Sequence, residues 1–205
     1  MKKTVLISAM VMLTTNQLMA KSVQITEELA SISIKENGKT VQIERIEDTK
    51  HRLTSSFSKT SRACPPFCVQ PMKIGKVETI GELELLEFLQ QMQDESNNMI
   101  LIDARTKDWT KKGSIPGAIN LPFTMLKKES KYINNILKLL GAKKENDKWK
   151  FDNVPLLAIF SNGIWDAQAT KAIENLISLG YPEEHLKYYR GGMQNWYILG
   201  LTTKE

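Results

Sequence analysis

The chain has 205 residues, a formal net charge of +5, 41% hydrophobic residues and 25% charged residues. This length suits one domain of ordinary size plus an extension, and the composition is typical of a globular protein and excludes a largely disordered one. The positive charge is mild, and no basic block with interleaved aromatic residues occurs. We therefore do not expect nucleic-acid binding.

The first twenty residues predict a secretory signal peptide. Lys2 and Lys3 precede an apolar run at 5–13, and the polar residues 14–17 and then Leu18-Met19-Ala20 follow. This is the order of regions in a signal peptide, and the run is shorter than the ~20 residues that span a bilayer. The alternative is an ordinary buried N-terminal helix. Cleavage after Ala20 would leave a mature chain with a net charge of (28 − 2) − 23 = +3. We expect this mature protein to be periplasmic or secreted and to have no membrane span.

Residues 21–76 predict a β extension followed by a connector. Apolar and polar residues alternate in two short stretches joined by Asn37-Gly38, and Asn-Gly is the strongest short signal for a β-hairpin. A lone hairpin is marginal in water, so we expect this one to pack on the main domain or pair with another chain. Residues 47–62 are rich in Ser, Thr, Lys and Arg and are interpreted as a connector.

Residues 77–205 predict an α/β domain with a mainly parallel sheet, because short apolar runs alternate with segments of helical period. Thr79 and Glu82 fit a capping box at the start of the first helix, and an apolar stripe begins at Leu83. The predicted strands lie at 99–102, 156–160 and 186–189; the further helices lie at 133–140, which Gly141 ends, 167–179 and 193–199.

The loop at 161–166 connects a predicted strand to a predicted helix. Such a loop directs backbone N–H groups inward, and the dipole of the following helix favours negative charge. Its first residue, Ser161, stands where a nucleophile would be held. The loop therefore predicts an anion cradle, and its first residue bears on whether the protein is an enzyme.

Three segments in order resemble a rhodanese-like (sulfurtransferase-like) domain. They are Leu101-Ile102-Asp103-Ala104-Arg105 with Trp109 and the block 113–122; the strand, loop and helix around Ser161; and 188–196, which contains Gly191-Gly192 and Trp196, with Gly200-Leu201 after it. The resemblance covers roughly residues 79–203. It implies a rhodanese-like fold, a mainly parallel sheet flanked by helices. Residues 61–68 also resemble exported rhodanese-like proteins of bacteria.

The resemblance implies a cysteine at the first loop position, where an active relative carries sulfane sulfur as a persulfide from a donor such as thiosulfate. Here that position is Ser161, and a serine cannot hold a persulfide. Asp166 ends the loop where many relatives have arginine or cysteine; it can cap the helix but would occupy or repel the anion site. Ser114 stands where the family often has histidine. The chain resembles a thiosulfate sulfurtransferase that lacks its catalytic residue, so whether it is an enzyme stays open.

Other catalytic uses of Ser161 are disfavoured. The surroundings are not Gly-x-Ser-x-Gly, and the two histidines, His51 and His185, offer no base in sequence. The related phosphatases also need the loop cysteine. We therefore assign no catalytic residue, no cofactor and no metal site, and the candidate binding residues are Asn162, Gly163, Ile164, Trp165, Asp166 and Arg190.

The remaining candidates have structural alternatives. Asp103 and Arg105 follow a buried strand and are interpreted as an internal ion pair, with a pocket role as the alternative. Arg190 could bind an anion at the mouth of the cradle or form a surface salt bridge. Trp165 could line a pocket or cover the core, and Trp196 is expected in the core.

Cys64 and Cys68 are the only cysteines of the chain. In an exported protein, a pair suggests a disulfide, and the spacing requires a turn between the two residues. A structural disulfide is the leading interpretation, followed by a redox-active or relay pair.

The sequence thus predicts an exported rhodanese-like protein without sulfurtransferase activity that acts as a binding or accessory module. Its partner would be a protein or a small anion. The alternative is a thiol-redox or sulfur-relay protein that uses Cys64 and Cys68.

Overall fold

The structure is a computed structural model that describes residues 23–204, so the predicted signal peptide lies outside the described residues. The strands are β1 (Ser31–Glu36), β2 (Lys39–Glu44), β3 (Glu78–Ile80), β4 (Met99–Asp103), β5 (Ile119–Asn120), β6 (Lys143–Glu145), β7 (Lys148–Lys150), β8 (Leu156–Phe160) and β9 (Leu186–Tyr189). The α-helices are α1 (Glu82–Gln91), α2 (Lys107–Thr110), α3 (Ile133–Leu139), α4 (Gln168–Ser178) and α5 (Gly192–Ile198), with 3-10 turns at Ser56–Ser58, Phe123–Leu126 and Glu183–His185.

A parallel sheet with the strand order β3-β9-β8-β4-β5 forms the centre of the fold. The middle strands β4 and β8 are almost entirely apolar, as expected for strands covered on both faces. Helices α3 and α4 pack on one face, and α1, α5 and the β1–β2 hairpin pack on the other. The predicted α/β class with a mainly parallel sheet is confirmed.

The start of α1 differs from the prediction. Thr79 lies in β3, and the helix begins after Gly81, whose backbone N–H donates to the Glu84 carboxylate over 3.0 Å. The capping box therefore uses Glu84 and not Glu82, because two residues of the predicted cap are taken by a strand. The predicted apolar stripe was also wrong at its first position, since Leu83 is exposed.

The N-terminal hairpin packs on the sheet domain, as predicted. Its inward side chains Ile32, Ile34 and Ile43 are buried in the same core as α1 and α5. Its end is fastened to the C-terminal tail, where Arg45 Nε donates to the Leu199 carbonyl over 2.7 Å. Burial of its apolar face supplies the stability that an isolated hairpin lacks.

The connector at 47–62 does more than join two parts of the chain. It contains the 3-10 turn at Ser56–Ser58, and Phe57 is buried in the same core as α1 and α5. The sequence did not predict the short strands β3 and β5 or the β6–β7 hairpin either, because elements of two or three residues have no periodicity to detect. No helix among residues 23–204 has the length and apolar character needed to cross a membrane.

The hairpin turn offers a test of the extension's contribution to stability. Gly38 has φ +76°, and a Cβ there would meet open space. We expect Gly38→Val to lower the free energy of unfolding by about 1–2 kcal/mol through backbone strain alone, as measured by urea denaturation. Gly38→Asn is the matched control and should lose less, since Asn tolerates this conformation. Equal stabilities of Gly38→Val and wild type would contradict this account.

Candidate functional site

The loop 161–166 lies at the carboxyl end of the sheet, between β8 and α4. It is held against the segment that follows β9, because the Ser161 carbonyl accepts the Met193 N–H over 3.0 Å. Gly192, with φ +54°, permits this approach: a Cβ there would collide with the Ser161 carbonyl oxygen. Gly192, the first residue of α5, is therefore needed for the loop to pack in this position.

The carboxylate of Asp166 fills the loop from inside. Its oxygens accept the backbone N–H and the side-chain amide of Asn162 over 3.0 and 2.8 Å, and the backbone N–H and side-chain amide of Gln168 over 3.3 and 2.8 Å. Asp166 is buried, and these four donors are uncharged. The backbone N–H groups of Asn162 and Gln168, which are of the kind that bind an anion at a helix N-terminus, are thus directed at the protein's own carboxylate.

Ser161 is not positioned as a nucleophile. Its hydroxyl is buried and donates to the Asp166 carbonyl over 3.1 Å. His185 Nδ1 lies 3.0 Å from the Val154 carbonyl oxygen, at the opposite end of β8 from the loop. His51 lies on the exposed connector, so neither histidine contacts the serine among the described hydrogen bonds.

The nearby tyrosines offer no base either. Burial raises the pKa of Tyr188 to about 12, with Arg190 opposing the shift and Asp166 adding to it. Burial also raises the pKa of Tyr189 well above its usual value, assisted by the Glu82 carboxylate that its hydroxyl contacts. Both side chains stay neutral near pH 7, so neither tyrosine activates the Ser161 hydroxyl.

Asp103 and Arg105 form the predicted internal ion pair. Arg105 is fully buried and meets both carboxylate oxygens of Asp103, over 2.8 and 2.6 Å. The guanidinium also donates to the side-chain oxygen of Asn162 over 3.3 Å, which orients the Asn162 amide toward Asp166. A chain of contacts therefore links the end of β4 to the loop.

Aromatic side chains cover the loop mouth. Trp165 contacts Phe57, Trp109 and Phe67 with ring centroids 6.2, 6.0 and 5.6 Å apart, and the Arg62 guanidinium lies 3.7 Å from its ring centroid. The N-terminal segment supplies three of these partners, and a sequence pattern does not reveal such long-range packing. Trp196 is buried in the core, as predicted.

Cys64 and Cys68 form the predicted disulfide, with their Cα atoms 4.7 Å apart. The bond closes a five-residue ring beside the loop. In a chain-entropy estimate, such a small ring stabilises the fold by only about 2 kcal/mol, less than a longer loop would. The disulfide is therefore a minor structural constraint.

Arg190 contacts backbone carbonyl groups. Its Nη2 donates to the Gln70 carbonyl over 2.8 Å and its Nε to the Pro71 carbonyl over 3.1 Å. Gln70 also reaches the loop, because its N–H donates to the Ile164 carbonyl over 2.8 Å. Arg190 thus fastens the segment after the disulfide to the mouth of the cradle.

A cleft of about 250 Å³ opens between the disulfide ring and the start of α4. Its apolar walls are Pro66 and Phe67 on one side and Trp109 and Phe123 on the other, with Lys171 at the rim. Within residues 23–204, no group of three or more His, Cys, Asp or Glu side chains is arranged to hold a metal ion.

Of the predicted binding residues, Asn162 and Asp166 meet directly, while Gly163, Ile164 and Trp165 form the rest of the loop. Sequence reasoning missed Gln168, although the spacing Asp166-x-Gln168 at a helix start is a capping signal that could have identified it. It also missed Gln70, Arg62 and Phe57, for which the sequence carries no local signal.

These features define an α/β domain in which a loop and the start of a helix follow a central strand of a parallel sheet. The model of the family described as the rhodanese-like domain matches residues 85–199, more than half of the chain. The protein belongs to the rhodanese-like domain family. A search among curated proteins found no match.

Solved structures give remote likenesses. A protein from Lactobacillus plantarum is 19% identical, with 62% of this chain and 87% of that chain covered and a TM-score of 0.44. The human single-domain sulfurtransferase is 24% identical, with 60% and 96% covered and a TM-score of 0.40. Thiosulfate sulfurtransferase from Pseudomonas aeruginosa is 18% identical, with 63% of this chain but only 20% of that chain covered and a TM-score of 0.42.

The buried ion pair should dominate the stability of the site. We expect Arg105→Met to lower the free energy of unfolding by about 3–5 kcal/mol, because it leaves the Asp103 carboxylate buried without its partner. Lys187→Met is the matched control; it breaks the ion pair with the exposed Glu78 and should cost at most about 1 kcal/mol. Chemical denaturation measures both, and similar losses would contradict the assigned role of Arg105.

Proposed function

We propose that the protein is exported, does not transfer sulfur, and works as a binding or accessory module. The observation that carries the proposal is the Asp166 carboxylate, which takes four hydrogen bonds inside the cradle. The serine at position 161 supports it, since a hydroxyl cannot form the persulfide that sulfur transfer needs. The order of charged, apolar and small residues at 1–20 supports export to the periplasm or beyond.

A buried carboxylate also works against an anionic donor. Two unit charges 4 Å apart repel by about 4 kcal/mol at an effective dielectric constant of 20, and each 1.4 kcal/mol changes affinity about tenfold. Thiosulfate would have to displace Asp166 from its donors before it could bind. Loss of the thiol and loss of the anion site therefore act in the same direction.

A protein partner fits the surface better than a small anion does. The loop carbonyl of Ile164 is paired with Gln70, and the side chain of Ile164 is 40% exposed. Val69 and Met72, on the adjoining segment, are 78% and 61% exposed. Apolar side chains grouped at the mouth of a filled cradle favour contact with another apolar surface.

Activity measurements test the proposal. We expect the wild-type protein to show no thiosulfate-to-cyanide transfer above the buffer rate. Ser161→Cys should restore little activity, because Asp166 still fills the cradle. Adding Asp166→Ala should raise the rate at least tenfold above that of Ser161→Cys, equivalent to about 1.4 kcal/mol of transition-state stabilisation.

Asp166→Ala alone is the control for this series and should stay inactive, because it restores the anion site without a thiol. Clear turnover by the wild-type protein would overturn the proposal. Full activity of Ser161→Cys alone would show that the carboxylate does not block the cradle.

A second candidate function is thiol-redox or sulfur-relay chemistry at Cys64 and Cys68. The observation that favours it is the position of the disulfide, which lies beside the loop mouth with Cys64 exposed. Exposed disulfides are the more reducible ones.

Mass spectrometry of the native protein separates the roles of this pair. A redox role predicts reduction at millimolar glutathione. A relay role predicts that the pair, once reduced, gains a persulfide mass on one cysteine on incubation with thiosulfate, with release of sulfite. A bond that survives strongly reducing glutathione buffer, with no persulfide, would leave a structural role only.

A further inference from the structure

The segment that carries the disulfide is fastened by contacts that do not involve sulfur. Before the ring, Arg62 stacks on Trp165; within it, Phe67 meets the same indole. After the ring, the side-chain oxygen of Gln70 accepts the Thr170 hydroxyl over 2.8 Å, and its carbonyl accepts Arg190. The position of the ring is therefore fixed on both sides without the S–S bond, so the bond can open while the segment stays in place.

The two cysteines differ in access. Cys64 is exposed, whereas Cys68 is half-buried and its carbonyl accepts the Gln70 side-chain amide over 2.6 Å. An external thiolate reaches the exposed sulfur more easily, because exchange requires approach along the S–S bond. Attack is thus expected at Cys64, with Cys68 as the leaving group.

The cleft beside the ring has the size and walls for one side chain. Two residues of the ring, Pro66 and Phe67, form one wall, so an occupant of the cleft lies next to the disulfide. Its volume of about 250 Å³ is smaller than the ~300–1,000 Å³ of typical small-molecule sites. Aromatic walls favour an aromatic or large apolar side chain.

The exposed charge at the cleft is positive. Lys171 is exposed at the rim, with its ammonium 5.8 Å from the centre of the Phe123 ring. Asp166 also borders the cleft, but its carboxylate is buried and held by Asn162 and Gln168. An acidic residue on the occupant would therefore be attracted to Lys171.

We infer that the Cys64–Cys68 disulfide exchanges with a dithiol protein whose attacking cysteine is flanked by an aromatic or large apolar residue and an acidic residue, and that the cleft binds the apolar one. This inference rests on the second candidate function, the redox role of the pair. It names the class of substrate and the place where the substrate docks.

The exchange is balanced without a further reactant. A thiolate of the partner forms a bond to Cys64 Sγ, the Cys64–Cys68 bond breaks, and its electron pair leaves on Cys68 sulfur, which takes up a proton. A second thiolate of the partner then attacks the partner's sulfur in the mixed disulfide, and Cys64 leaves as a thiolate that is protonated. Two electrons and two protons pass to the ring, and the partner leaves with a disulfide.

The experiment uses the mature chain and two dithiol peptides of equal length and with the same Cys-x-x-Cys spacing. In one, the first cysteine is flanked by Phe and Glu; in the other, by Ser and Lys. Reduction of the protein disulfide is followed by acid quenching, alkylation and mass spectrometry. We expect the Phe/Glu peptide to react at least tenfold faster.

Variants test whether the cleft is the origin of the preference for the Phe/Glu peptide. Phe67→Ala and Lys171→Glu should each reduce the preference at least threefold, while Leu139→Ala, at an exposed position on α3, should leave it unchanged. Cys68→Ser, which keeps Cys64, should form a mixed disulfide with an oxidised peptide faster than Cys64→Ser does. These readouts remain usable if one variant folds poorly, because wild type alone reports the preference.

The outcomes distinguish the docking role of the cleft from the redox role of the cysteine pair. Exchange at equal rates with both peptides would overturn the cleft assignment and leave the redox role standing. No exchange with either peptide or with millimolar glutathione would overturn both. Faster adduct formation at Cys68 than at Cys64 would overturn the proposed direction of attack.

Discussion

The carboxylate of Asp166, held by the amides of Asn162 and Gln168, is the interaction on which the candidate site depends. It satisfies N–H groups that an external anion would otherwise meet, and it does so from within the loop. Arg105 holds the loop in position, because its guanidinium donates a hydrogen bond to the Asn162 side chain. The charge of Arg105 is balanced by Asp103. The same contacts that order the loop therefore place a carboxylate where, under our proposal, an anionic donor would have to bind.

This arrangement shows how a rhodanese-like fold is built around a loop that begins with Ser161 and encloses a carboxylate. The loop requires Gly192 at the start of α5, the buried ion pair and the strand–loop–helix connection, whether or not sulfur is transferred. Replacing the external anion by an internal carboxylate removes the cost of an unfilled set of N–H donors. The N-terminal segment places Phe67 and the Cys64–Cys68 disulfide beside Trp165 at the mouth of the loop.

Much of the fold could be predicted from the sequence, because the apolar runs at 99–102 and 156–160 and the Asn37-Gly38 turn carry strong local signals. The role of Asp166 was also predictable in part, since a carboxylate at a helix start caps the helix and repels anions. The packing of Phe57 on Trp165 and the fastening of Gln70 to the loop could not be predicted, because these contacts join residues more than 90 positions apart. The cap of α1 was misplaced for a local reason: a three-residue strand occupies the predicted cap.

The most direct test of the central claim is isothermal titration of thiosulfate into the wild-type protein and into Asp166→Ala at equal ionic strength. If Asp166 occupies the anion cradle, the variant should show saturable one-site binding in the millimolar range or tighter, and the wild-type protein should show none. One-site binding to the wild type that is as tight as binding to the variant would contradict the account.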